Sequence, residues 1–254
     1  MAAMTTKGSG PAQRVAGNSR FAGGLVVALA CQLLAAITAN AGTLSGKVRL
    51  AGTPPPHHKI IMTADPVCDS LYPKGREDEM VVADNSGGLA NVLVYVKSGL
   101  PEKYRAPAPI GVVHIDQKGC EYVPHVIGVR VGQDIEIGNE DATLHNVNTK
   151  AVLNEPFNKA MAGKGQVLNT AFQHAEVAVK LKCDIHPWMA AYVGVFANPF
   201  FAVTGADGSF TINDVPKGDK YTVEAWHETL GTQTATIAID EKSPANLQFT
   251  FAGN

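Results

Sequence analysis

The chain has 254 residues, with 21 Lys and Arg against 23 Asp and Glu and a formal net charge of −2. Lys7, Arg14 and Arg20 all fall in the first forty residues, so the 213 residues after position 41 carry 18 basic against 23 acidic side chains, a net of −5. That balance argues against a nucleic-acid partner, which would need a basic face, and the length suits one large or two small domains.

Residues 1–41 read as an export signal. The three basic residues precede an apolar run from Phe21 to Ile37, no acidic residue occurs before Gly42, and Ala39-Asn40-Ala41 offers the small-x-small pattern of a cleavage site. A single-pass anchor is the alternative, although the run is short for a span. Cys31 invites a lipoprotein reading, but Leu33 to Ile37 continue the apolar run beyond it. Cleavage after Ala41 makes the protein periplasmic or secreted, and nothing in the mature chain is long and apolar enough to span a membrane.

From Gly42 onward helix signals are sparse and strand signals recur. Short β-branched or alternating runs lie at Leu44 to Leu50, Val92 to Val96, Val112 to Ile115, Val129 to Ile137, Val177 to Cys183 and Tyr192 to Phe196. Further runs are Ser209 to Ile212, Tyr221 to Ala225, Thr234 to Ile239 and Leu247 to Phe251. Pro54-Pro55-Pro56, Gly87-Gly88, Asp207-Gly208 and Lys217-Gly218-Asp219 punctuate them. The expectation is an all-β chain of sandwich architecture. Lys150 to Gly165 has little periodicity and reads as a long connection or a short helix.

The segments Phe201 to Thr204, Asp207 to Ile212 and Val215 to Ala225 resemble the second half of a carboxypeptidase-regulatory-like (transthyretin-like) domain. Gly42 to Val48 and Leu89 to Val96 are similar to that family's first strands. The resemblance implies a smaller β-sandwich made of residues 42–105 and 198–254, split by an inserted domain at 106–197. Insertion at an exposed loop is physically ordinary. Two tandem sandwiches are the alternative.

The strongest chemical signal is Cys183-Asp184-Ile185-His186-Pro187-Trp188-Met189. The period of two places the Cys183 thiol on the same face as Val177, Val179 and Leu181, pointing inward. His186 and Met189 follow on a tight loop braced by Pro187. His145, directly after a strand-like run, is the natural fourth ligand. One thiolate, two imidazoles and a thioether are the donor set of a blue-copper electron-transfer site. Zinc sites are completed by Cys, His or carboxylate, and methionine is not among their usual ligands.

Residues 106–197 resemble a cupredoxin of the amicyanin/plastocyanin type, in the Cys-x-x-His-x-x-Met loop and in the upstream His145-Asn146-Val147. The resemblance implies a Greek-key β-sandwich with one type 1 copper site, ligated by His145, Cys183, His186 and axial Met189. It further implies that Asn146 hydrogen-bonds near the thiolate and ties the ligand loops, and that the His186 ring edge reaches the surface and passes the electron. A transient redox enzyme or cytochrome would then dock on the His186 face.

Three cysteines follow the leader, and in an oxidising compartment an odd count suggests one pair and one thiol with another task. Cys68 and Cys120 are the expected disulfide. The alternative is a second metal site using Cys120 and His125. His57 and His58 read as solvated loop residues, His114 and His174 as ordinary strand or loop residues. His125 and His227 could line the copper domain or pack at the domain junction.

The sequence therefore points to a non-enzymatic electron carrier. Copper capture or delivery with the same ligands is one alternative, and a surface or glycan-binding module is another. Two Trp make no aromatic platform for the latter, and no nucleophile–base motif or phosphate loop supports an enzyme.

Overall fold

The computed structural model describes residues 41–240 and 244–253. Of the expected leader only Ala41 is among them, and the rest of that expectation lies outside the described residues. Ala41 opens the first strand, where it pairs with Pro216. Among the described residues no helix is long and apolar enough to cross a membrane.

The architecture is all-β, as the β-branched runs and their Gly and Pro punctuation dictate. With strands numbered in chain order, one three-stranded sheet runs β15 (Ser209–Pro216), β1 (Ala41–Ala51), β18 (Ala245–Ala252). A four-stranded sheet runs β14 (Phe201–Val203), β4 (Leu93–Ser98), β16 (Gly218–His227), β17 (Gly231–Ile239). Alternate side chains of both sheets meet in one core, with Leu44, Val48, Phe210, Ile212, Phe249 and Phe251 from the first and Val94, Val96, Tyr221, Val223 and Ile239 from the second. Chain segments at 41–98 and 201–252 thus share both sheets.

Residues 113–196 build another pair. A five-stranded sheet runs β10 (Asn158–Met161), β9 (His145–Thr149), β12 (Glu176–Lys182), β13 (Ala190–Phe196), β7 (Val126–Arg130). Facing it, a four-stranded sheet runs β11 (Gln166–Thr170), β8 (Ile135–Asn139), β5 (Val113–Gln117), β6 (Tyr122–Val123). Val129, Val147, Val179, Leu181 and Val193 of one sheet bury against Ile115, Ile135 and Ile137 of the other, which is sandwich packing. A two-stranded ribbon, β2 (Lys59–Ile60) with β3 (Arg76–Glu77), completes the strands.

The two sandwiches touch through strand faces. In β4, Val94 and Val96 point into one core, whereas Leu93 and Tyr95 join Val126 and Phe196 in a third cluster between the sandwiches. That is why this strand reads as an unbroken apolar run. Gly128 and Gly194 sit opposite each other in the parallel β7–β13 pair. A Cβ on Gly128 would lie 2.4 Å from Phe201 Cδ2, so the missing side chain lets that ring lie on the sheet.

Several local expectations are corrected. The run Val129 to Ile137 is two strands, because the chain turns at Gly132 with φ +74°. In β12 a register shift between Glu176 and Val179, with Ala178 at φ +65°, puts Val177 out of phase. Val177 is 38% exposed while Val179, Leu181 and Cys183 are buried. Lys150 to Gly165 holds β10 and loop, not a helix. The one helix among the described residues, α1 (Pro66–Leu71), lies where none was expected. Its signal was local: Asp65 caps it by accepting from the Val67 and Cys68 N–H groups, and Pro66 occupies the first turn.

Cys68 of α1 and Cys120 form a disulfide. This removes the alternative of a second metal site on Cys120 and His125, because the Cys120 sulfur is already bonded. His125 instead faces the Ala190 carbonyl through Nδ1 and the Glu228 carboxylate through Nε2.

Candidate metal centre

β9 and β12 are antiparallel neighbours, with Leu181 opposite Thr149 and Lys182 opposite Asn148. The start of one strand therefore meets the end of the other, which brings His145 to Cys183. The loop after Cys183 closes on itself: Cys183 N–H donates to Met189 O at 3.1 Å, and Met189 N–H to His186 O at 2.9 Å. His186 N–H also donates to the Cys183 sulfur at 3.4 Å. This tight turn returns His186 toward the thiol and buries Met189 in the same core cluster as Cys183. All four side chains are buried.

The donor atoms converge. One ligand atom each from His145, Cys183 and His186 lies within 4.8 Å of the others. His145 Nδ1 is 2.9 Å from His186 Nδ1, and Cys183 Sγ is 3.8 Å from His186 Nδ1. Carboxylates settle the tautomers. His145 Nε2 is 3.0 Å from Asp141 Oδ2, and His186 Nε2 is 2.9 Å from Asp65 Oδ2. An ionised carboxylate only accepts, so both Nε2 atoms carry the hydrogen. Both Nδ1 lone pairs then point at each other across 2.9 Å. Two neutral acceptors repel at that distance unless a proton or a cation lies between them.

Hydrogen bonds hold both carboxylates in place. Burial pushes Asp65 up, but hydrogen bonds from Thr143, the Cys68 N–H, His186 and the Val67 N–H outweigh it and bring the pKa to about 2. Asp141 accepts from the Gly119 and Cys120 N–H groups at 2.8 and 2.7 Å as well as from His145. Burial outweighs the hydrogen bond to Asp141 and holds the His145 pKa below the usual histidine value.

Asn146 ties the two loops together. Its Oδ1 accepts from Asp184 N–H at 2.7 Å, and its Nδ2 donates to Asp184 Oδ2 at 3.0 Å. Asn148 and Asn158 also donate to that carboxylate. Lys182 above all, with these amides, pulls the Asp184 pKa well below the usual carboxylate range. Tyr122 O–H donates to Asn146 O at 2.6 Å from the opposite sheet.

The expectation that the His186 ring edge reaches the surface is corrected. His186 is 2% exposed. Asp65 covers its Nε2, and Cys68 Sγ lies 3.7 Å from the same atom. The physical reason is α1, which the disulfide staples across the ligand loop. Trp188 packs beside His186, with ring centres 5.1 Å apart, and its Nε1–H donates to Cys120 O. Trp188 lines a cleft of about 1160 Å³, together with Ile61, Met80, Ile185, Pro187, Tyr192 and Glu228.

Of the residues singled out from sequence, the structure gathers His145, Cys183 and His186, with Asn146 tying their loops and Met189 buried in the same cluster, and it adds two aspartates that sequence reading missed. Asp141 stands four residues before His145 and was open to discovery by spacing. Asp65 is 121 residues from His186 and carries no local mark beyond its helix cap.

Several solved structures are similar to parts of this chain. A Cu-containing nitrite reductase from Thermus scotoductus SA-01 is 23% identical over 39% of this chain, at a TM-score of 0.32. The match covers only 25% of that reductase, so the chain spans about a quarter of its length. A purple cupredoxin from Nitrosopumilus maritimus is 22% identical, covering 33% of this chain and 99% of that one, at a TM-score of 0.29. Amicyanin from Paracoccus versutus is 24% identical, covering 41% and 97%, at a TM-score of 0.31. No protein-family model and no curated protein matches the chain.

Proposed function

We propose that this chain is an exported type 1 copper protein that carries single electrons, with His145, Cys183, His186 and Met189 as the ligands of one copper ion. The observation that carries the reading is the pair of Nδ1 lone pairs facing each other at 2.9 Å beside a buried thiol. A shared proton would relieve the repulsion, but it would not account for a buried thiol beside the two imidazoles. Thiolate and thioether favour Cu(I), imidazole serves both states, and methionine disfavours zinc.

Copper bound there would supply one-electron exchange between its two oxidation states. The chain's own residues do the rest. Asp141 and Asp65 hold the imidazoles in the tautomer that offers Nδ1. The knot of Asn146 and Asp184 fixes one loop against the other, so the ligands stay put whichever charge they face. The four side chains are almost wholly buried, and a His, Cys and Met donor set favours an electron carrier over an enzyme.

We read residues 106–197 as a cupredoxin domain inserted into a regulatory-like sandwich of residues 42–105 and 198–254. The sharing of sheets by β1, β4, β15, β16 and β18 supports it. The redox partner, an enzyme or cytochrome in the periplasm, would meet the centre beside Trp188 and Pro187 at the cleft, because the His186 edge itself is covered. Copper-loaded mature protein is expected to bind one equivalent with an intense visible thiolate-to-copper band, and Cys183→Ser to lose that band. A wild type that binds copper without the band would overturn the reading.

A further inference from the structure

Asp65 belongs to neither ligand loop, yet its side chain joins both. Its Oδ1 accepts from the N–H groups of Val67 at 2.8 Å and Cys68 at 3.2 Å, which caps α1. Its Oδ2 accepts from Thr143 Oγ1 at 2.6 Å and faces His186 Nε2 at 2.9 Å. Thr143 stands two residues before His145, so a single carboxylate links the helix, the loop of one histidine and the ring of the other. Three residues beyond Asp65, the Cys68–Cys120 bond anchors the same segment to the sandwich that holds the ligands.

Resting on the copper reading, we propose that Asp65 is a positioning residue for His186, which fixes the ring with Nδ1 toward the metal and lowers the reduction potential by its adjacent negative charge. A carboxylate bonded to the far nitrogen of a ligand imidazole makes that imidazole a stronger donor. Its charge, partly screened because the side chain is 15% exposed, stabilises the more positive oxidation state more than the less positive one. His186 is thereby a pinned, interior ligand, and the segment that pins it comes from outside the strands that carry the other ligands.

The test is a pair of variants read by spectroelectrochemistry. Asp65→Asn keeps a good helix cap and an acceptor oxygen but removes the charge. Asp65→Ala removes all three. Asp65→Asn is expected to keep the visible band and shift the midpoint potential upward. Asp65→Ala should shift it upward and weaken copper binding ~10- to 100-fold. Thr143→Ala, which leaves the charge in place, should hold the wild-type potential more closely than either. Asp65→Asn and Asp65→Ala at the wild-type potential and affinity would overturn the proposal. A wild type without the band would sink the copper reading instead, and the apoprotein then decides the role of Asp65. A slowly exchanging His186 Nε2–H resonance, lost in Asp65→Ala, supports it, and its absence from the wild type overturns it.

Discussion

A histidine has two distinct ring nitrogens, and at this centre neighbouring carboxylates choose between them. Asp141 is the more demanding of the two, because it satisfies the Gly119 and Cys120 N–H groups as well as His145 Nε2. Asp141→Ala would strand three donors in a buried site, at ~1–3 kcal/mol for each unmade bond. The apoprotein is therefore expected to lose about 3 kcal/mol or more, seen in urea unfolding as a lower midpoint at unchanged slope. A loss within about 0.5 kcal/mol, the range of ordinary surface substitutions, would show that these bonds carry little. The candidate ligands Cys183, His186 and Met189 stand out as neighbours in sequence. Asp65 does not, because its partnership exists only once α1 folds back over the loop.

At the scale of elements, what positions the centre is partly regular and partly irregular. The strand run that leads to Cys183 was legible, but β9 is buried at four of its five positions and does not alternate, so its antiparallel pairing with β12 emerges only in the fold. The shift in β12 did not announce itself: Val177 looks as apolar as Val179, and only the left-handed Ala178 moves it to the surface. In the same way Val129 to Ile137 reads as one run until Gly132 turns it. The α1 staple is an element of a different kind, since its six residues would not hold a helix alone. Its disulfide joins residues 52 apart in sequence. Replacing Cys68 and Cys120 together with alanine is expected to cost about 4 kcal/mol by the chain-entropy model. Hydrogen exchange at Val67 and Cys68 N–H should accelerate well beyond the change in global stability. Exchange that tracks global stability alone would show that α1 holds its place without the bond.

Across the whole molecule, the two sandwiches meet through apolar contacts and one polar clamp. Tyr95 and Phe201 both pack on Phe196, with ring centres 5.0 and 4.6 Å apart. At the edge of this contact His125 bonds the Ala190 carbonyl and the Glu228 carboxylate, so both ring nitrogens face acceptors. Burial lowers the His125 pKa, but Glu228, Ala190 and Glu121 outweigh it and hold it above the usual value. Burial raises that of Glu228, but His125, Tyr192 and His227 outweigh it and hold it below the usual value. The histidine contribution is complete below its unfolded pKa of 6.5 and is lost as pH rises through the raised folded value. The carboxylate contribution is complete above its unfolded pKa of 4.5 and is lost as pH falls through the depressed one. The stability difference between wild type and His125→Gln should thus be greatest between pH 4.5 and 6.5 and shrink toward alkaline pH. His227, whose pKa burial lowers to about 4, titrates in both proteins and largely cancels in the difference. A difference that grows toward alkaline pH would contradict the clamp. Sheet partnership on this scale was legible only through resemblance, because pairing β1 with β18 spans nearly the whole described chain.

Electron paramagnetic resonance of the protein loaded with one equivalent of Cu(II) tests the central claim most directly. A copper ion held by the Cys183 thiolate shares its unpaired electron with sulfur, so the spectrum should show a narrow parallel hyperfine splitting that Cys183→Ser widens. A wide splitting in the wild type, unchanged by that substitution, would mean that copper binds through nitrogen and oxygen alone and that the proposed centre is wrong.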